Sequence, residues 1–360
     1  MERTGGVIGA TIAAGTAPFV LTTRAAEAER KLGFALVGLG SLSTNQIAPA
    51  LQKTKYCRLA GIVSGTPEKR KKWAAQYNLP EKNIYTYETY DKIKDNPEID
   101  VVYVVLPNAM HGEYTVRGAN AGKHGLCEKP MEVSAQKCQE MVDACKKNNR
   151  LLAIGYRCQF VPYHLETMRI SREKQFGALK LIEASFGFKI GDPNQWRLKH
   201  ALAGGGALMD VGIYALQGTR YVSGEEPVEI TAFETKSDTQ KFREVDETIF
   251  WTMKFPSGVM VNCGTTYNAN GMNRLYAGYE TGWSLLEPAY SYGGLQGKTS
   301  KGPMDFPQVD HFASEMDDFA QCILQNKKSK VAGEEGLRDV KIVTAIYDSI
   351  KQGGKTIKLD

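Results

Sequence analysis

Three side chains in this sequence have the types and spacing needed to move a proton during a hydride transfer. Lys129 lies in the segment 127–130, Cys-Glu-Lys-Pro, and Asp210 precedes Tyr214 by four residues, which places both on one helix face. Hydride transfer to or from a carbinol carbon needs a proton donor or acceptor at its oxygen. A nearby ammonium lowers the pKa of a tyrosine and also polarises a carbonyl. Lys129, Asp210 and Tyr214 are therefore candidate catalytic residues, although by itself a tyrosine on a helix is more often a packing residue.

A glycine pair after a short apolar run predicts a phosphate-binding loop. Residues 34–37 are apolar, and residues 38–43 read Gly-Leu-Gly-Ser-Leu-Ser. The first glycine permits a tight turn, the second lets backbone approach a pyrophosphate, and the third position of this fingerprint needs only a small side chain. The predicted cofactor contacts here are Gly38, Leu39, Gly40, Ser41 and Leu42. A glycine pair alone is a weak signal, but its place between a strand and a helix strengthens it.

The end of the second apolar run distinguishes NADP from NAD. Ser64 lies 24 residues after Gly40, where an acid that binds the ribose is expected, and no acid is there. A carboxylate would repel a 2′-phosphate, whereas Ser64, Gly65 and the cations Lys69 or Arg70 suit one. The segment predicts NADP as cofactor. The alternative is that residues 69–72 are only the solvated face of a helix.

The end of the third apolar run should also reach the cofactor. Ligands of open α/β sheets bind beyond the carboxyl ends of the strands, and Leu106, Pro107 and Asn108 follow such a run. His111 comes three residues later. It either lines the cofactor cleft or serves as a structural residue at a helix start.

Composition limits the classes of protein that need consideration. The chain has 360 residues, 42% of them hydrophobic and 24% charged, which suggests two soluble domains. The net charge is +5, and the basic residues are interleaved with acids, so nothing favours nucleic acid as a partner. The seven cysteines form no Cys-x-x-Cys pair. We therefore predict neither a disulfide framework nor a metal site.

The elements that position these residues change character near residue 155. Before it, apolar runs alternate with helical patterns, which predicts a Rossmann-type, doubly wound parallel sheet. After it, longer segments alternate apolar and polar residues, as at 247–255. They predict an α+β domain with a large, mostly antiparallel open sheet. The predicted division is an N-terminal arm at 1–30, a nucleotide-binding domain at 31–155 and a substrate and oligomerisation domain at 156–360.

From Leu32 to the C-terminus the sequence resembles the glucose–fructose oxidoreductase family, also called Gfo/Idh/MocA. The segments that carry the resemblance lie at 37–40, 62–65, 106–108, 121–124, 127–130, 155–158 and 333–336. The tyrosine at 214, together with segments 195–197, 203–206 and 218–221, is similar to the subgroup nearest glucose–fructose oxidoreductase itself. Many other members have a histidine where this chain has Tyr214.

The resemblance implies roles for individual residues. Lys129 would polarise the reacting oxygen, Tyr214 would donate and accept the proton, and Asp210 would hold substrate hydroxyls or the tyrosine. Tyr87 would join the 2′-phosphate site, and the Lys129–Pro130 bond would be cis. The further implied cofactor and site contacts are Glu128, Lys129, Arg157, Trp196, Arg197 and, less directly, Tyr292. The family's tetramer buries the open face of the second sheet, which implies a homodimer or homotetramer here.

These implications converge on an NADP-dependent sugar oxidoreductase. The expected reaction is oxidation of an aldose to a lactone, with a second sugar able to reduce the cofactor in place. A polyol or inositol-type dehydrogenase and a cofactor-dependent glycosidase remain alternatives on the same scaffold. A non-catalytic NADP-binding regulator is disfavoured because Lys129, Asp210 and Tyr214 are all present.

The first thirty residues predict export. Residues 5–20 are small and apolar, and residues 25–28 read Ala-Ala-Glu-Ala, the layout of a secretory signal with its cleavage site. The subgroup is exported by a twin-arginine signal, and this sequence lacks the arginine pair. The prediction is a periplasmic protein, with a cytoplasmic protein as the alternative.

Overall fold

The computed structural model describes residues 30–359, so the predicted export signal lies outside the described residues. Two β-sheets organise the described part of the chain, one of six strands and one of nine. None of the described helices is long and apolar enough to cross a membrane.

The six-stranded sheet is parallel throughout, in the order β3-β2-β1-β4-β5-β6. Its strands are β1 (Leu32–Val37), β2 (Cys57–Val63), β3 (Ile84–Tyr85), β4 (Val101–Val104), β5 (His124–Cys127) and β6 (Leu152–Ile154). Every residue of β1 and β4 is buried, because helices cover both faces, and this explains their unbroken apolar runs. The strand order reverses between β1 and β4, the point where ligands of such sheets bind.

Among the described residues, four α-helices lie between strands of this sheet in the sequence. They are α1 (Ala48–Leu51), α2 (Pro67–Tyr77), α3 (His111–Asn120) and α4 (Ala135–Lys147). Pro67 is suited to the first helical position because its missing N–H has no intrahelical role there. Ser134 precedes α4, and its hydroxyl accepts a hydrogen bond from the Lys137 N–H at 3.3 Å. Both residues therefore favour a helix that begins where α2 and α4 begin.

The nine-stranded sheet runs in the order β14-β13-β12-β11-β7-β10-β9-β8-β15. Its strands are β7 (Leu179–Gly187), β8 (Glu229–Thr235), β9 (Thr248–Lys254), β10 (Met260–Thr266), β11 (Asn273–Tyr279), β12 (Trp283–Leu286), β13 (Gly297–Thr299), β14 (Gly302–Met304) and β15 (Ile357–Lys358). Only the β7–β10 pairing is parallel. A hairpin turn at 256–258 joins β9 to β10. Strands β11 to β14 were not predicted, since they are short or carry glycine and polar residues.

The remaining helices are α5 (Pro162–Arg172), α6 (His200–Ala203), α7 (Ile213–Ser223), α8 (His311–Leu324) and α9 (Gly333–Lys351). A π-helical turn at Leu208–Gly212 leads directly into α7. Helix α8 follows β14 of the second sheet in the chain, yet Phe312, Met316 and Phe319 pack into the core of the first sheet. The chain thus returns to its first half, and the boundary at residue 155 stays a prediction.

Candidate active site

A cavity of about 880 Å³ opens at the carboxyl ends of the parallel strands. Its size and mixed polar and aromatic walls are typical of cofactor sites. The predicted residues that line it are Gly38, Leu39, Gly40, Ser41, Leu42, Ser64, Gly65, Lys69, Tyr87, Leu106, Pro107, Asn108, Glu128, Lys129, Arg157, Trp196, Arg197, Asp210, Tyr214 and Tyr292. Lining residues that were not among the predicted contacts include Phe186, Phe188, Gln195, Tyr290 and Ser291. The structure therefore brings the predicted residues together, with one exception.

His111 is the exception, because it does not line the cavity. The ring is buried, with Nδ1 2.9 Å from the Pro130 carbonyl oxygen and Nε2 2.9 Å from the Leu106 carbonyl oxygen. Burial lowers the pKa of His111, although the carbonyls raise it. Both ring nitrogens are thus occupied by backbone. The prediction that His111 binds the cofactor is corrected to a structural role, in which it ties the loop after β4 to the segment that carries Lys129.

The glycine loop after β1 has the shape that a pyrophosphate needs. Gly38 has φ +98°, and a Cβ there would stand 2.3 Å from the Val105 carbonyl oxygen, so only glycine fits. A Cβ on Gly40 would meet no atom within 4 Å, which leaves its backbone open to the cavity. The Ser43 hydroxyl donates a hydrogen bond to the Gly38 carbonyl oxygen at 2.6 Å. The third position of the fingerprint therefore fastens the loop with a small polar side chain.

The end of β2 presents a hydroxyl, a bare backbone and a cation to the cavity. Ser64, Gly65 and Lys69 line this end together with Tyr87, and a Cβ on Gly65 would lie 3.3 Å from the Tyr87 ring. Arg70 instead donates to the Ser64 carbonyl oxygen at 2.5 Å. No carboxylate is among the described residues that line this end. These groups fit a 2′-phosphate, which a ribose-binding acid would repel.

Lys129 and Asp210 form an ion pair at the other end of the cavity. Lys129 Nζ donates to the Asp210 backbone carbonyl at 2.6 Å and to Oδ1 of its carboxylate at 3.1 Å. The Lys129–Pro130 peptide bond is cis, as the resemblance implies. The ammonium also lies 4.8 Å from the centre of the Tyr214 ring. The three predicted catalytic residues are therefore adjacent, although they come from two distant segments of the chain.

Asp210 is held by two cations and a phenol. Arg197 Nε donates to Asp210 Oδ2 at 2.9 Å, and the Tyr267 hydroxyl donates to the same oxygen at 2.7 Å. Burial acts to raise the pKa of Asp210, but Lys129, Arg197 and Tyr267 outweigh it, and the pKa lies below the usual aspartate range. Asp210 is thus a carboxylate at neutral pH. Sequence analysis did not identify Tyr267, since its only signal is its place at the end of an alternating strand.

The Tyr214 hydroxyl is bound by Arg157 rather than by Lys129. Arg157 Nε donates to it at 3.2 Å, and the buried guanidinium is fixed by the backbone carbonyls of Tyr290 and Ser291. Burial raises the pKa of Tyr214, and Arg157 lowers it without cancelling the effect of burial. Sequence analysis expected the ammonium of Lys129 to lower this pKa. That ammonium lies over the ring face, so the cation next to the oxygen is Arg157.

Asp246 caps the helical segment that carries Asp210 and Tyr214. Its carboxylate accepts from the N–H groups of Gly206 and Leu208 at 2.6 and 2.8 Å and from the Tyr347 hydroxyl at 2.6 Å. A Cβ on Gly206 would stand 2.0 Å from the Asp246 carbonyl oxygen, so glycine is required for this approach. An acid at a helix N-terminus satisfies free N–H groups and opposes the helix dipole. Asp246 was not predicted, because it lies far from residue 210 in the sequence.

Aromatic rings form the wall next to this polar cluster. Phe186 packs edge-on against Tyr214 with ring centres 5.5 Å apart, and the Arg197 guanidinium lies 4.6 Å from the centre of a Trp196 ring. Aromatic faces beside charged hydroxyl-binding groups suit a ligand with both C–H faces and hydroxyls. No cluster of metal-binding side chains is found within residues 30–359.

Comparison with known proteins assigns the family. Residues 32–156 match the oxidoreductase family GFO_IDH_MocA, with an NAD-binding Rossmann fold, and residues 164–283 match the C-terminal domain of the same family. The chain therefore belongs to this family. The predicted family and fold class, and the prediction that the chain is an enzyme, are confirmed.

Individual relatives extend over nearly the whole chain. D-xylose 1-dehydrogenase [NADP(+)] of Haloarcula marismortui is 31% identical over 337 residues, which cover 91% of this chain and 93% of that protein. A crystal structure of aldose-aldose oxidoreductase from Caulobacter crescentus, complexed with glycerol, is 42% identical with a TM-score of 0.89, covering 92% of this chain and 100% of that one. A levoglucosan dehydrogenase structure is 20% identical with a TM-score of 0.79, which shows the shared fold alone.

Proposed function

We propose that this chain is an NADP-dependent oxidoreductase that oxidises the anomeric carbon of an aldose to the lactone. The observation that carries the proposal is a single cavity that has groups suited to proton transfer at one end and groups suited to a 2′-phosphate at the other. Lys129, Asp210 and Tyr214 meet at one end, and Ser64 and Lys69 stand at the other. The Haloarcula relative is named as an NADP(+)-dependent D-xylose 1-dehydrogenase, and the Caulobacter relative is named as an aldose-aldose oxidoreductase. Both names support this proposal.

The described residues fit NADP on their own geometry. The open face of Gly40 gives the pyrophosphate access to backbone, and Ser64 and Lys69 give the 2′-phosphate a hydroxyl and a cation. When bound, NADP supplies the site that accepts the hydride or returns it. The carbon that gives up the hydride must then lie near Lys129 and Tyr214, because those side chains form the polar end of the cavity.

Each side chain at the polar end of the cavity has a separate role in the proton transfer. Tyr214 takes the proton from the sugar hydroxyl during oxidation and returns it during reduction. Lys129 donates a hydrogen bond to the same sugar oxygen and stabilises its developing negative charge. Arg157 stabilises the phenolate form of Tyr214 through the hydrogen bond to its oxygen. Asp210 holds Lys129 and Arg197 in place as a permanent carboxylate.

The finer part of the proposal is that a second sugar re-oxidises the cofactor in place. The Caulobacter relative, named an aldose-aldose oxidoreductase, supports it. The test is to purify the protein without added nucleotide, assay released NADP, and supply one aldose. Equal amounts of lactone and alditol with no added nucleotide support coupling. Lactone formation only with added NADP would overturn coupling and leave a simple dehydrogenase, and no sugar oxidation under either condition would overturn the proposed function.

The open face of the second sheet supports a homo-oligomer. Leu181, Phe233, Phe250 and Met260 are exposed on β7 to β10, and Phe233 is 63% exposed. Phe233 lies opposite Phe250, and Leu181 lies opposite Met260, on neighbouring strands. Exposed apolar side chains grouped on one face mark an interaction surface. We propose that two copies of this chain pair through it. A monomeric mass in light scattering at micromolar concentration would exclude this assembly, and periplasmic export remains a separate prediction.

A further inference from the structure

Two buried carboxyl groups share one phenol behind the cavity wall. Tyr103 on β4 donates its hydroxyl hydrogen to Glu128 Oε1 at 2.8 Å, and the same hydroxyl oxygen lies 3.2 Å from Glu315 Oε1. All three side chains are buried. Glu315 belongs to α8 and lies far from the other two in the sequence. The contact exists because α8 returns to pack on the first sheet.

The number of hydrogens in this chain of oxygens is constrained by chemistry. A phenol has one hydrogen and can donate it to only one of the two carboxyls. The second contact is favourable only if that carboxyl itself has a hydrogen to donate to the phenol oxygen. Two ionised carboxylates that share a buried site also repel each other strongly. The arrangement therefore requires one proton beyond that of the phenol.

The surroundings favour Glu315 as the residue that holds this proton at rest. Its Oε2 has no hydrogen-bond partner among the described residues. Glu128, in contrast, accepts a hydrogen bond from the Lys129 backbone N–H at 3.2 Å and lies close to the ammonium of that residue. An ionised oxygen without a donor is costlier to bury than a neutral one.

The pKa values of the two acids agree with this assignment. Burial raises the pKa of both groups, and Lys129, Tyr103 and Arg157 oppose it at Glu128. The groups that act on Glu315 are Glu128, Tyr103, Arg157 and Cys158, and burial with the Glu128 charge keeps its pKa well above the usual glutamate range.

We propose that Glu315, Tyr103 and Glu128 form a proton-holding chain that connects the buried side of α8 to the cavity wall. A proton on Glu315 Oε1 moves to the Tyr103 oxygen while the Tyr103 proton moves to Glu128 Oε1. Glu315 is then ionised, Glu128 is neutral, and no other bond changes. Glu128 lines the cavity, so this transfer brings the proton to the wall of the site.

The role of the proton-holding chain in the reaction rests on the proposed function, whereas the presence of its proton on Glu315 at rest does not. Oxidation of a sugar hydroxyl releases one proton, and reduction of a sugar carbonyl takes one up. Ionised Glu128 can accept a proton that oxidation releases, and the proton held on Glu315 can pass through Tyr103 to Glu128 when reduction takes one up. Glu315 and Tyr103 would then be positioning and relay residues, while Tyr214 remains the group that touches the sugar oxygen.

The first test is infrared spectroscopy of the protein without sugar at neutral pH. The wild type should show the C=O stretch of a neutral carboxyl, which Glu315→Gln removes. Tyr103→Phe should shift that band because the hydrogen-bond partner of the carboxyl is lost. Glu132→Gln is the matched control, since Glu132 is also fully buried with a pKa raised by burial, yet is not part of the chain. A band that stays unchanged in both Glu315→Gln and Tyr103→Phe would overturn the proposal.

The second test follows a single turnover in H₂O and D₂O. The bound nucleotide is first reduced by an aldose, and its re-oxidation by a sugar carbonyl is then recorded, because that half-reaction takes up a proton. Tyr103→Phe should slow the proton-coupled phase about fivefold or more, a fraction of what loss of a direct acid-base group causes, and should change its solvent isotope effect. Glu132→Gln should match the wild type. Equal rates and isotope effects in Tyr103→Phe and the wild type would overturn the relay. A lack of sugar oxidation in the wild type would instead overturn the proposed function and leave the infrared result intact.

Discussion

Arg157 Nε donates a hydrogen bond to the Tyr214 hydroxyl oxygen at 3.2 Å, which places a buried positive charge at the atom whose proton the proposed reaction moves. The guanidinium carbon also lies 4.9 Å from the centre of the Tyr214 ring. The ammonium of Lys129 lies over the ring instead. In the proposed reaction the two cations therefore have separate tasks, in which Arg157 acts on the tyrosine and Lys129 acts on the sugar oxygen.

Removing the charge of Arg157 should change the pH dependence of sugar oxidation. Arg157 lowers the pKa of Tyr214 against the effect of burial, so Arg157→Met raises that pKa further. Oxidation needs the phenolate, and its rate should therefore rise only at higher pH, with kcat at pH 7 reduced about tenfold if the pKa of Tyr214 rises by about one. The measurement is a kcat profile against pH. Arg169→Met, on the surface of α5, is the control, and identical profiles for Arg157→Met and the wild type would contradict the assignment.

Tyr214→Phe should abolish most of the chemistry while it leaves nucleotide binding intact. Loss of a positioned acid-base group reduces rates by about 10²–10⁴-fold, and the remaining ring keeps its packing against Phe186. The readouts are kcat for an aldose and the Kd of NADP by fluorescence. Tyr279→Phe is the matched control, because both tyrosines are 7% exposed and the Tyr279 hydroxyl bonds to Ser171 away from the cavity. Near wild-type oxidation by Tyr214→Phe would remove it from the mechanism.

Lys69→Glu should weaken NADP selectively. The side chain lines the end of the cavity where the 2′-phosphate is expected, and reversal of its charge replaces attraction by repulsion. We expect the Kd of NADP to rise about tenfold or more, equivalent to about 1.4 kcal/mol, with little change for NAD. Lys72→Glu, exposed on the same helix but not part of the cavity lining, should leave both Kd values unchanged. Equal effects on NADP and NAD would show that Lys69 does not contact the 2′-phosphate.

Asp246→Asn should destabilise the protein and misplace the catalytic helix. The carboxylate accepts two backbone N–H bonds and the Tyr347 hydroxyl, and an amide group can accept at only one of its two ends. We expect the free energy of unfolding to fall by about 1–3 kcal/mol, the usual cost of an unsatisfied buried partner, and kcat to fall with it. Urea unfolding measures the first effect. Asp348→Asn on the exposed side of α9 should show neither change.

Stability should decline as the pH falls below about 6.5. Burial, followed by the charge of Arg157, lowers the pKa of His311 to about 4, whereas a histidine in the unfolded chain titrates near 6.5. Between these pH values the unfolded state binds more protons than the folded state, so the free energy of unfolding decreases as the pH is lowered. The decrease for this group is about 1.5 kcal/mol between pH 6.5 and pH 5. Urea unfolding at several pH values should give a flatter dependence for His311→Gln than for the exposed control His200→Gln. The same pH dependence of the free energy of unfolding in both variants would show that His311 does not cause the loss of stability.

The sequence by itself determined the features that are encoded locally. Gly38 and Gly40 after an apolar run specify a phosphate loop, because a tight turn and an open backbone depend on the loop's own residues. Unbroken apolar runs specify buried parallel strands, and Ser64 at the position expected for a ribose-binding acid indicates NADP. The residue types at 129, 210 and 214 indicate proton chemistry wherever they meet. The inferences from the glycine loop, the apolar runs and Ser64 need only neighbouring residues and their chemical properties, whereas the roles of residues 129, 210 and 214 were implied by the family resemblance.

Only the tertiary structure decided which distant groups act on them. Arg157 at the Tyr214 hydroxyl, Tyr267 at the Asp210 carboxylate and Glu315 at Tyr103 are contacts between segments far apart in the chain. His111 is the opposite case. Its position in the sequence suggested a residue of the cleft, whereas in the structure its two ring nitrogens lie next to backbone carbonyl oxygens. Burial and partners set the pKa of a side chain, and both arise only when the two sheets and α8 pack together.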